Sequence, residues 1–126
     1  MNQNNKFSIK ERIRSFKYAL EGIVYFTKTV HNGWIHYLAT FITVSLGIFF
    51  KLNIVEWLWI IQAIFLVFIA EMVNSAIEKN VDLVTEEQNE RAKRAKDMAA
   101  GAVLLAAFYA IIVGVIVFLP YLNQLL

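Results

Sequence analysis

Residues 98–119 read MAAGAVLLAAFYAIIVGVIVFL, a stretch of 22 residues without a charged side chain. A helix of this length rises about 33 Å, which is enough to cross a hydrocarbon core of roughly 30 Å. Pro120 follows directly and is expected to end the helix. Basic residues precede the apolar stretch. We therefore predict a membrane-spanning helix over residues 91–120 with a polar, cytoplasmic start.

A second apolar segment, residues 35–50, is shorter. Its 16 residues rise about 24 Å as a helix, less than the thickness of the hydrocarbon core. Trp34 and Tyr37, with a thinned bilayer or a tilted fit, would complete the crossing. We predict another membrane-spanning helix here, over residues 34–51.

Between these two lies a third apolar segment, residues 55–73, which has 19 residues and is interrupted by Gln62 and Glu71. Its length suits a membrane span. We predict a helix over residues 54–82 that continues beyond Glu71 into the aqueous phase. The chain is therefore expected to be an all-α integral membrane protein with three transmembrane helices.

The composition of the 126 residues agrees with this and excludes several classes of protein. Hydrophobic residues make up 59%, above the 45–50% usual for soluble domains, and the mean hydropathy is +0.55. The absence of cysteine excludes disulfides, thiolate zinc sites and cysteine nucleophiles. The five glycines do not form a P-loop or a Rossmann phosphate-binding turn. A net charge of +2 is too small to suggest a nucleic-acid partner.

The region before the first span predicts an amphipathic helix over residues 8–30. Ser8 and Glu11 have the spacing of a capping box at a helix start. Apolar residues then recur at steps of three and four on one side: Ile9, Ile13, Phe16, Leu20 and Ile23. The other side is mainly basic, which suits an anionic membrane surface, although packing against protein would give the same pattern.

The basic residues predict the orientation of the spans. Six precede the first span and five lie between the second and third spans, and Lys51 stands alone between the first two. Three spans put eleven of the twelve basic residues on one side of the membrane. Because cytoplasmic loops carry the excess of Lys and Arg, this side is predicted to be cytoplasmic.

A line of polar residues begins near the end of the second span. Glu71, Asn74, Glu78 and Asp82 are spaced i, i+3, i+7 and i+11, so a helix places them in one narrow sector. A carboxylate inside a span costs about 2.5–3.5 kcal/mol at the membrane centre and is a functional candidate by default. An interhelical hydrogen bond or a solvated helix end would be a structural alternative.

A second polar cluster, residues 91–98, lies immediately before the third span. Most of its basic residues could simply anchor the helix to anionic headgroups. Lys96 and Asp97 are expected at the depth at which Glu71 leaves the membrane. Stacked carboxylates that face a lysine suggest a polyphosphate bound with Mg²⁺. A carboxylate at the interface could accept a proton from a lipid hydroxyl.

These two segments carry a resemblance to a known family. Residues 71–82 read EMVNSAIEKNVD and residues 94–98 read RAKDM, which together resemble the signature of the prokaryotic diacylglycerol kinase family. That family includes the undecaprenol kinases of many bacteria. Residues 16–22, FKYALEG, also resemble its surface helix, so that the similarity covers roughly residues 16–119.

The resemblance implies a small lipid kinase of the bacterial cytoplasmic (inner) membrane, a single kinase domain over residues 1–126. Each chain of a homotrimer would contribute three spans and the surface helix, and sites would form between protomers on the cytoplasmic face. The implied reaction transfers a phosphoryl group from ATP, with Mg²⁺, to the hydroxyl of diacylglycerol or undecaprenol in the bilayer.

The resemblance also implies roles for individual residues. Glu71 would be the general base on the lipid hydroxyl, Asn74 would support the catalytic site, and Glu78 would bind the divalent metal that carries ATP. Lys96 and Asp97 would contact the nucleotide, and Tyr18 would lie near it. Asp82 and Arg94, which also match the motif, would have supporting roles.

One position departs from the family pattern. Members usually have a glutamate, the second protein ligand of the metal, where this chain has Val30. Valine cannot bind Mg²⁺, so either Glu78 with water and phosphate suffices, or His31 or Glu21 substitutes, or activity is weakened; we favour the first. His31 and His36 are otherwise expected to be interfacial hydrogen-bonding residues. Val30 also supports an alternative function, a non-catalytic assembly or ion-coupling subunit of the membrane.

Overall fold

The computed structural model describes residues 7–126, which form four α-helices and, within that range, no β-strand. The helices are α1 (Ile9–Thr29), α2 (Gly33–Phe49), α3 (Ile54–Val84) and α4 (Glu90–Leu125). Helix α1 belongs to a first unit that ends at His31, and α2, α3 and α4 form a second unit, Asn32–Leu126. The all-α class predicted from the sequence is confirmed. Lys6, one of the basic residues used for the orientation, lies outside the described residues.

The α1 helix begins where the capping pattern predicts. The Ser8 hydroxyl accepts a hydrogen bond from the backbone N–H of Glu11 at 3.4 Å, which satisfies one open amide of the first turn. The apolar side chains along the predicted face, such as Phe16 and Leu20, are exposed. At the other end, the N–H of Val30 donates to the carbonyl of Phe26 and closes the helix.

A tight reversal joins α2 to α3. The N–H of Leu52 donates to the carbonyl of Gly47 at 3.1 Å, and the N–H of Lys51 donates to that of Ile48 at 3.2 Å. This pair of bonds is a Schellman motif, which needs a left-handed residue after the helix end. Lys51, with φ 55°, occupies that position, which is usually taken by glycine. Asn53 then caps α3.

The start of α3 is held by a reciprocal capping box that the sequence analysis did not predict. The Asn53 side chain accepts from the N–H groups of Val55 and Glu56, and the Glu56 carboxylate accepts from the N–H of Asn53 at 2.9 Å. The same carboxylate accepts from the Tyr121 hydroxyl at 2.7 Å. One acidic side chain therefore fixes the start of α3 and ties it to the end of α4.

Helices α3 and α4 pack antiparallel along an apolar seam. The buried residues at one end of the seam come from both helices and from the turn: Leu52, Ile60, Ala63, Val113, Val117 and Phe118. Beside this cluster, the Tyr109 hydroxyl donates to the Gln62 side chain at 2.9 Å. An interhelical bond therefore accommodates the polar interruption at Gln62, since a polar group in an apolar span needs a partner.

The prediction that Pro120 ends the last helix is wrong, because α4 continues through it to Leu125. Proline in a helix removes one backbone hydrogen bond and crowds the preceding turn. Here the affected carbonyl is that of Ile116, one turn earlier, and the helix continues for only five residues beyond the proline. Tyr121, immediately after it, is also held to Glu56.

Two of the helices, α3 and α4, are long and apolar enough to cross a membrane. Helix α2 is also apolar but has only 17 residues. Most large apolar side chains on α3 and α4 are exposed in the isolated chain; Phe65 is 62% exposed and Leu105 is 71% exposed. Such surface in a water-soluble monomer would be unusual, so lipid or another protein surface is expected to cover it.

Candidate functional site

The polar line predicted on the second span lies on one uninterrupted helix. Glu71, Asn74, Glu78 and Asp82 all belong to α3, which runs without a break to Val84. At 1.5 Å per residue, the line extends about 16 Å along the helix axis from its first to its last member. It starts within the apolar part of α3 and ends beside the loop that joins α3 to α4.

At the apolar end of the line, Glu71 contacts a histidine on the neighbouring helix. His36 Nε2 of α2 lies 2.7 Å from Glu71 Oε1. The two side chains are 25% and 17% exposed, respectively, so the pair is largely withdrawn from the surroundings. The ring of Phe68 packs edge-on to the imidazole, with centroids 6.2 Å apart. The nitrogen and oxygen atoms of His36 and Glu71 therefore meet across α2 and α3 within hydrogen-bonding distance.

In the middle of the line, Asn74 and Glu78 interact one helical turn apart. The Asn74 amide Nδ2 donates to Glu78 Oε1 at 3.2 Å, whereas Asn74 Oδ1 is buried without a hydrogen-bond partner. A buried acceptor without a partner costs free energy and calls for an explanation. The two side chains together present a carboxylate and an amide oxygen, which are the hard ligands that Mg²⁺ prefers.

At the polar end of the line, Asp82 binds a lysine from α4. Lys96 Nζ donates to Asp82 Oδ1 at 2.5 Å across the two helices. This hydrogen bond, opposed by partial desolvation and assisted by the charges of Asp82 and Glu78, raises the pKa of Lys96. The ammonium is thus kept charged beside two carboxylates, as a phosphate-binding lysine requires.

The depth predicted for Lys96 needs correction. Its partner is Asp82, 11 residues beyond Glu71 on α3, rather than a residue at the level of Glu71 itself. The reason is the antiparallel register of α3 and α4, which the Tyr109–Gln62 bond fixes further along the seam. Lys96 therefore lies about three helical turns from Glu71 along the axis.

Two other predicted site residues are paired along their own helix. Asp97 accepts from Lys93 Nζ at 2.7 Å, and this bond raises the pKa of Lys93. Arg94 Nε donates to Glu90 at 3.0 Å. Both are exposed i,i+4 pairs, which are weak in water and open readily to a ligand. The structure therefore does not bring Asp97 or Arg94 into contact with the polar line. Tyr18 lies on α1, in the first unit, and is exposed.

The loop after α3 shapes a polar crevice of about 930 Å³. Asn89 caps α4 by accepting from the N–H groups of Arg91 and Ala92. Three residues of the predicted site reach the crevice wall: Asp82, Lys96 and Asp97. Acidic loop residues such as Glu86 and Glu87 complete the wall, and they belong to no motif from which a role could be predicted.

A second crevice, of about 320 Å³, lies between α2, α3 and α4 and is almost entirely apolar. His36 forms part of its wall, together with Thr40 on α2, Val67 on α3 and Gly114 on α4. The His36–Glu71 pair is thus located where the polar line meets an apolar interior. The sequence shows His36 and Glu71 only as polar residues within apolar segments, and it does not show that they contact each other.

Within residues 7–126, no group of three or more His, Cys, Asp or Glu side chains is arranged to hold a metal ion. Of the three carboxylates on the polar line, Glu71 contacts His36 and Asp82 binds Lys96, whereas Glu78 has the neutral amide of Asn74 beside it. Mg²⁺ commonly binds through one or two carboxylates and completes its shell with water and phosphate oxygens. The donor set fits an ion that arrives with a nucleotide better than a permanently bound one.

Comparison with known proteins identifies the family. The prokaryotic diacylglycerol kinase family profile matches residues 17–118. An undecaprenol kinase of Bacillus subtilis (strain 168) is 38% identical over 121 residues, covering 96% of this chain and 94% of the relative. A diacylglycerol kinase of Synechocystis is 40% identical over 113 residues, covering 89% of this chain but 65% of the relative, just under two thirds of its length.

A diacylglycerol kinase of Helicobacter pylori (strain 26695) is 31% identical over 125 residues, covering 93% of this chain and 98% of the relative. Similarity thus extends over nearly the whole of this chain and nearly the whole of two of the three relatives. It also sets aside the alternative of a non-catalytic subunit. The chain belongs to the prokaryotic diacylglycerol kinase family and is a lipid kinase.

Proposed function

We propose that the chain transfers the γ-phosphoryl group of ATP to the hydroxyl of a membrane lipid along the polar line of α3. The observation that carries this proposal is the continuity of the line. It begins at Glu71 in the apolar part of α3 and ends at the Asp82–Lys96 pair beside the polar crevice. A hydroxyl held in the bilayer and a phosphate held in water could both approach it.

In the proposed reaction, Glu71 accepts the proton of the lipid hydroxyl as the oxygen attacks the γ-phosphorus. The bond from this phosphorus to the bridging oxygen of ADP breaks, and ADP leaves with that electron pair. Lys96 neutralises charge on the phosphates. Glu78, supported by Asn74, would hold Mg²⁺, which when bound neutralises and orients the phosphates. Phosphoryl transfer depends mainly on such positioning and charge neutralisation.

Four motif residues have less direct roles in this proposal. Asp82 orients Lys96 through the bond between them. Asp97 and Arg94 exchange their exposed partners on α4 for the nucleotide, and Tyr18 approaches the nucleotide from α1. Since Val30 supplies no carboxylate, we expect Glu78, water and phosphate oxygens to complete the metal shell, with looser metal binding than a two-carboxylate site would give.

The proposed setting is the bacterial cytoplasmic membrane, with three spans formed by α2, α3 and α4. The positive-inside distribution supports a cytoplasmic position for the loop between α3 and α4, and hence for the polar crevice, on the side where ATP is present. Helix α1 would lie on that membrane surface. Exposed apolar surface on α3 and α4 supports assembly of several chains, for which the family resemblance implies a homotrimer.

Undecaprenol is the acceptor that we favour, because the undecaprenol kinase of Bacillus subtilis matches nearly the whole of both chains. The experiment is a kinase assay in mixed micelles that contain ATP and Mg²⁺, with undecaprenol and diacylglycerol offered in parallel. We expect the chain to phosphorylate undecaprenol, either alone or together with diacylglycerol. If both lipids are phosphorylated, kcat/KM should be higher for undecaprenol. Exclusive phosphorylation of diacylglycerol would overturn the acceptor assignment, and no turnover of either lipid would overturn the proposed function.

A Mg²⁺ titration tests the metal site. Val30→Glu is expected to lower the Mg²⁺ concentration needed for half-maximal activity, because it restores a second carboxylate. Val30→Gln is the matched control, since it has the same length without the charge. Identical metal dependence of the parent chain and Val30→Glu would contradict the proposal that the parent site is the looser one.

A further inference from the structure

We propose that His36 is a positioning residue that holds the carboxylate of Glu71 in the orientation needed to accept the lipid proton. This inference rests on the proposed function, since it gives His36 a task only if Glu71 is the base. The observation behind it is the 2.7 Å contact between His36 Nε2 and Glu71 Oε1, which joins α2 to α3.

The chemistry of the pair assigns the hydrogen. An ionised carboxylate only accepts hydrogen bonds, so a hydrogen bond across this 2.7 Å contact places a hydrogen on Nε2 of the imidazole. In a neutral imidazole with this tautomer, Nδ1 carries no hydrogen. Glu71 Oε1 is then occupied by the N–H, and Oε2 is the oxygen assigned to take the proton. The carboxylate is oriented without being neutralised, as a base requires.

The surroundings of the pair indicate that the contact is well defined. Both side chains are mostly buried, and the ring of Phe68 packs against the edge of the imidazole. A hydrogen bond to a charged group in such a low-dielectric site is stronger than one in water. Without it, the end of the Glu71 side chain would be free to rotate, and misplacing a reacting group by about 1 Å can slow catalysis a hundredfold.

His36 is also distinct from the residues assigned to the nucleotide. It lies on α2 beside Glu71. Glu78 lies seven residues beyond Glu71 on α3, and Lys96 lies on α4. Losing His36 should therefore alter the proton-accepting step and leave nucleotide binding unchanged. That separation gives a kinetic signature that a general loss of structure would not produce.

The test compares three substitutions in the purified full-length chain, assayed in mixed micelles with undecaprenol. His36→Gln keeps an N–H donor the same number of bonds from Cβ as Nε2. His36→Asn keeps an amide but places it one bond shorter, and His36→Leu removes the donor. Thr40→Val is the matched control, because it removes a polar group one turn further along α2 on the wall of the same crevice.

We expect His36→Leu and His36→Asn to lower kcat by about 10- to 100-fold, the loss of one hydrogen bond to a charged group, with the KM for ATP changed less than about twofold. His36→Gln should recover most of kcat, and Thr40→Val should match the parent chain. If His36→Leu fails to fold in detergent, the comparison of Gln with Asn still decides the question.

The outcomes separate this inference from the proposed function. Equal kcat in His36→Gln and His36→Asn would overturn the positioning role, as would a full kcat in His36→Leu. A loss confined to the KM for ATP would also overturn it. If the parent chain phosphorylates neither lipid, or if Glu71→Gln keeps full turnover, the proposed base is wrong and the role of His36 falls with it.

Discussion

Gly47, at the end of α2, provides a sharp test of how α2 is held against α3. A Cβ atom at this position would lie 2.6 Å from Trp57 Cη2 and 2.9 Å from Cζ2, both on the rigid indole of α3. Ordinary contact begins near 3.4 Å, so Gly47→Ala requires a displacement of about 0.8 Å, the difference from 2.6 Å. Overpacking of this kind costs about 1–3 kcal/mol.

The helix propensity of alanine opposes this cost. Alanine is favoured over glycine inside a helix by about 1 kcal/mol, so the expected net destabilisation of Gly47→Ala is about 0–2 kcal/mol. Gly101→Ala and Gly114→Ala, in α4, are matched controls, because a Cβ at either position meets no atom within 4 Å. Each control should gain about 1 kcal/mol from propensity alone.

The measurement is the free energy of unfolding in detergent micelles, followed by circular dichroism at the helix signal. Gly47→Ala is expected to be less stable than either control by about 1–3 kcal/mol. All three variants gain the same helix propensity, so this difference is the cost of the steric clash alone. A Gly47→Ala variant as stable as Gly101→Ala and Gly114→Ala would refute the close approach of Trp57 to α2.

Three further predictions concern the contacts that hold the helices together. Lys51→Gly should stabilise the chain by about 1 kcal/mol in the same unfolding measurement, because glycine relieves the left-handed strain, whereas Lys51→Ala should not. Tyr109→Phe should destabilise it by about 0.6–1.7 kcal/mol, since it leaves Gln62 without its interhelical donor. Because the Lys96 pKa is raised above its ordinary value of 10.5, the contribution of the Lys96–Asp82 bond to stability should be present from neutral pH up to 10.5 and disappear as the pH rises through the raised value. Asp82→Asn should abolish this alkaline transition in a pH titration of unfolding, and an unchanged transition would show that another group causes it.

The helices and the polar line could be predicted because they depend on local spacing. Three uncharged or nearly uncharged segments define α2, α3 and α4, and the i, i+3, i+7, i+11 positions of Glu71, Asn74, Glu78 and Asp82 share one face of any helix. Pro120 misled the prediction of the last helix end, since the bond from Tyr121 to Glu56 depends on a residue distant in sequence.

Contacts between helices could not be predicted, because they depend on register. The partner of Glu71 is set by how α2 packs on α3, and the partner of Lys96 by how far α3 and α4 slide past each other. The pairs of Asp97 with Lys93 and of Arg94 with Glu90 have i,i+4 spacing, so these contacts were predictable from the sequence alone.

The central claim is that Glu71 takes the proton of the lipid hydroxyl, and the transfer of labelled phosphate from ATP to undecaprenol in mixed micelles tests it most directly. Glu71→Gln keeps the size of the side chain but removes the base, so we expect kcat to fall by about 100-fold or more. Glu56→Gln is the control, since it lies on the same helix and its amide oxygen can still accept from Tyr121. Full turnover by Glu71→Gln, with Glu56→Gln also active, would contradict the account.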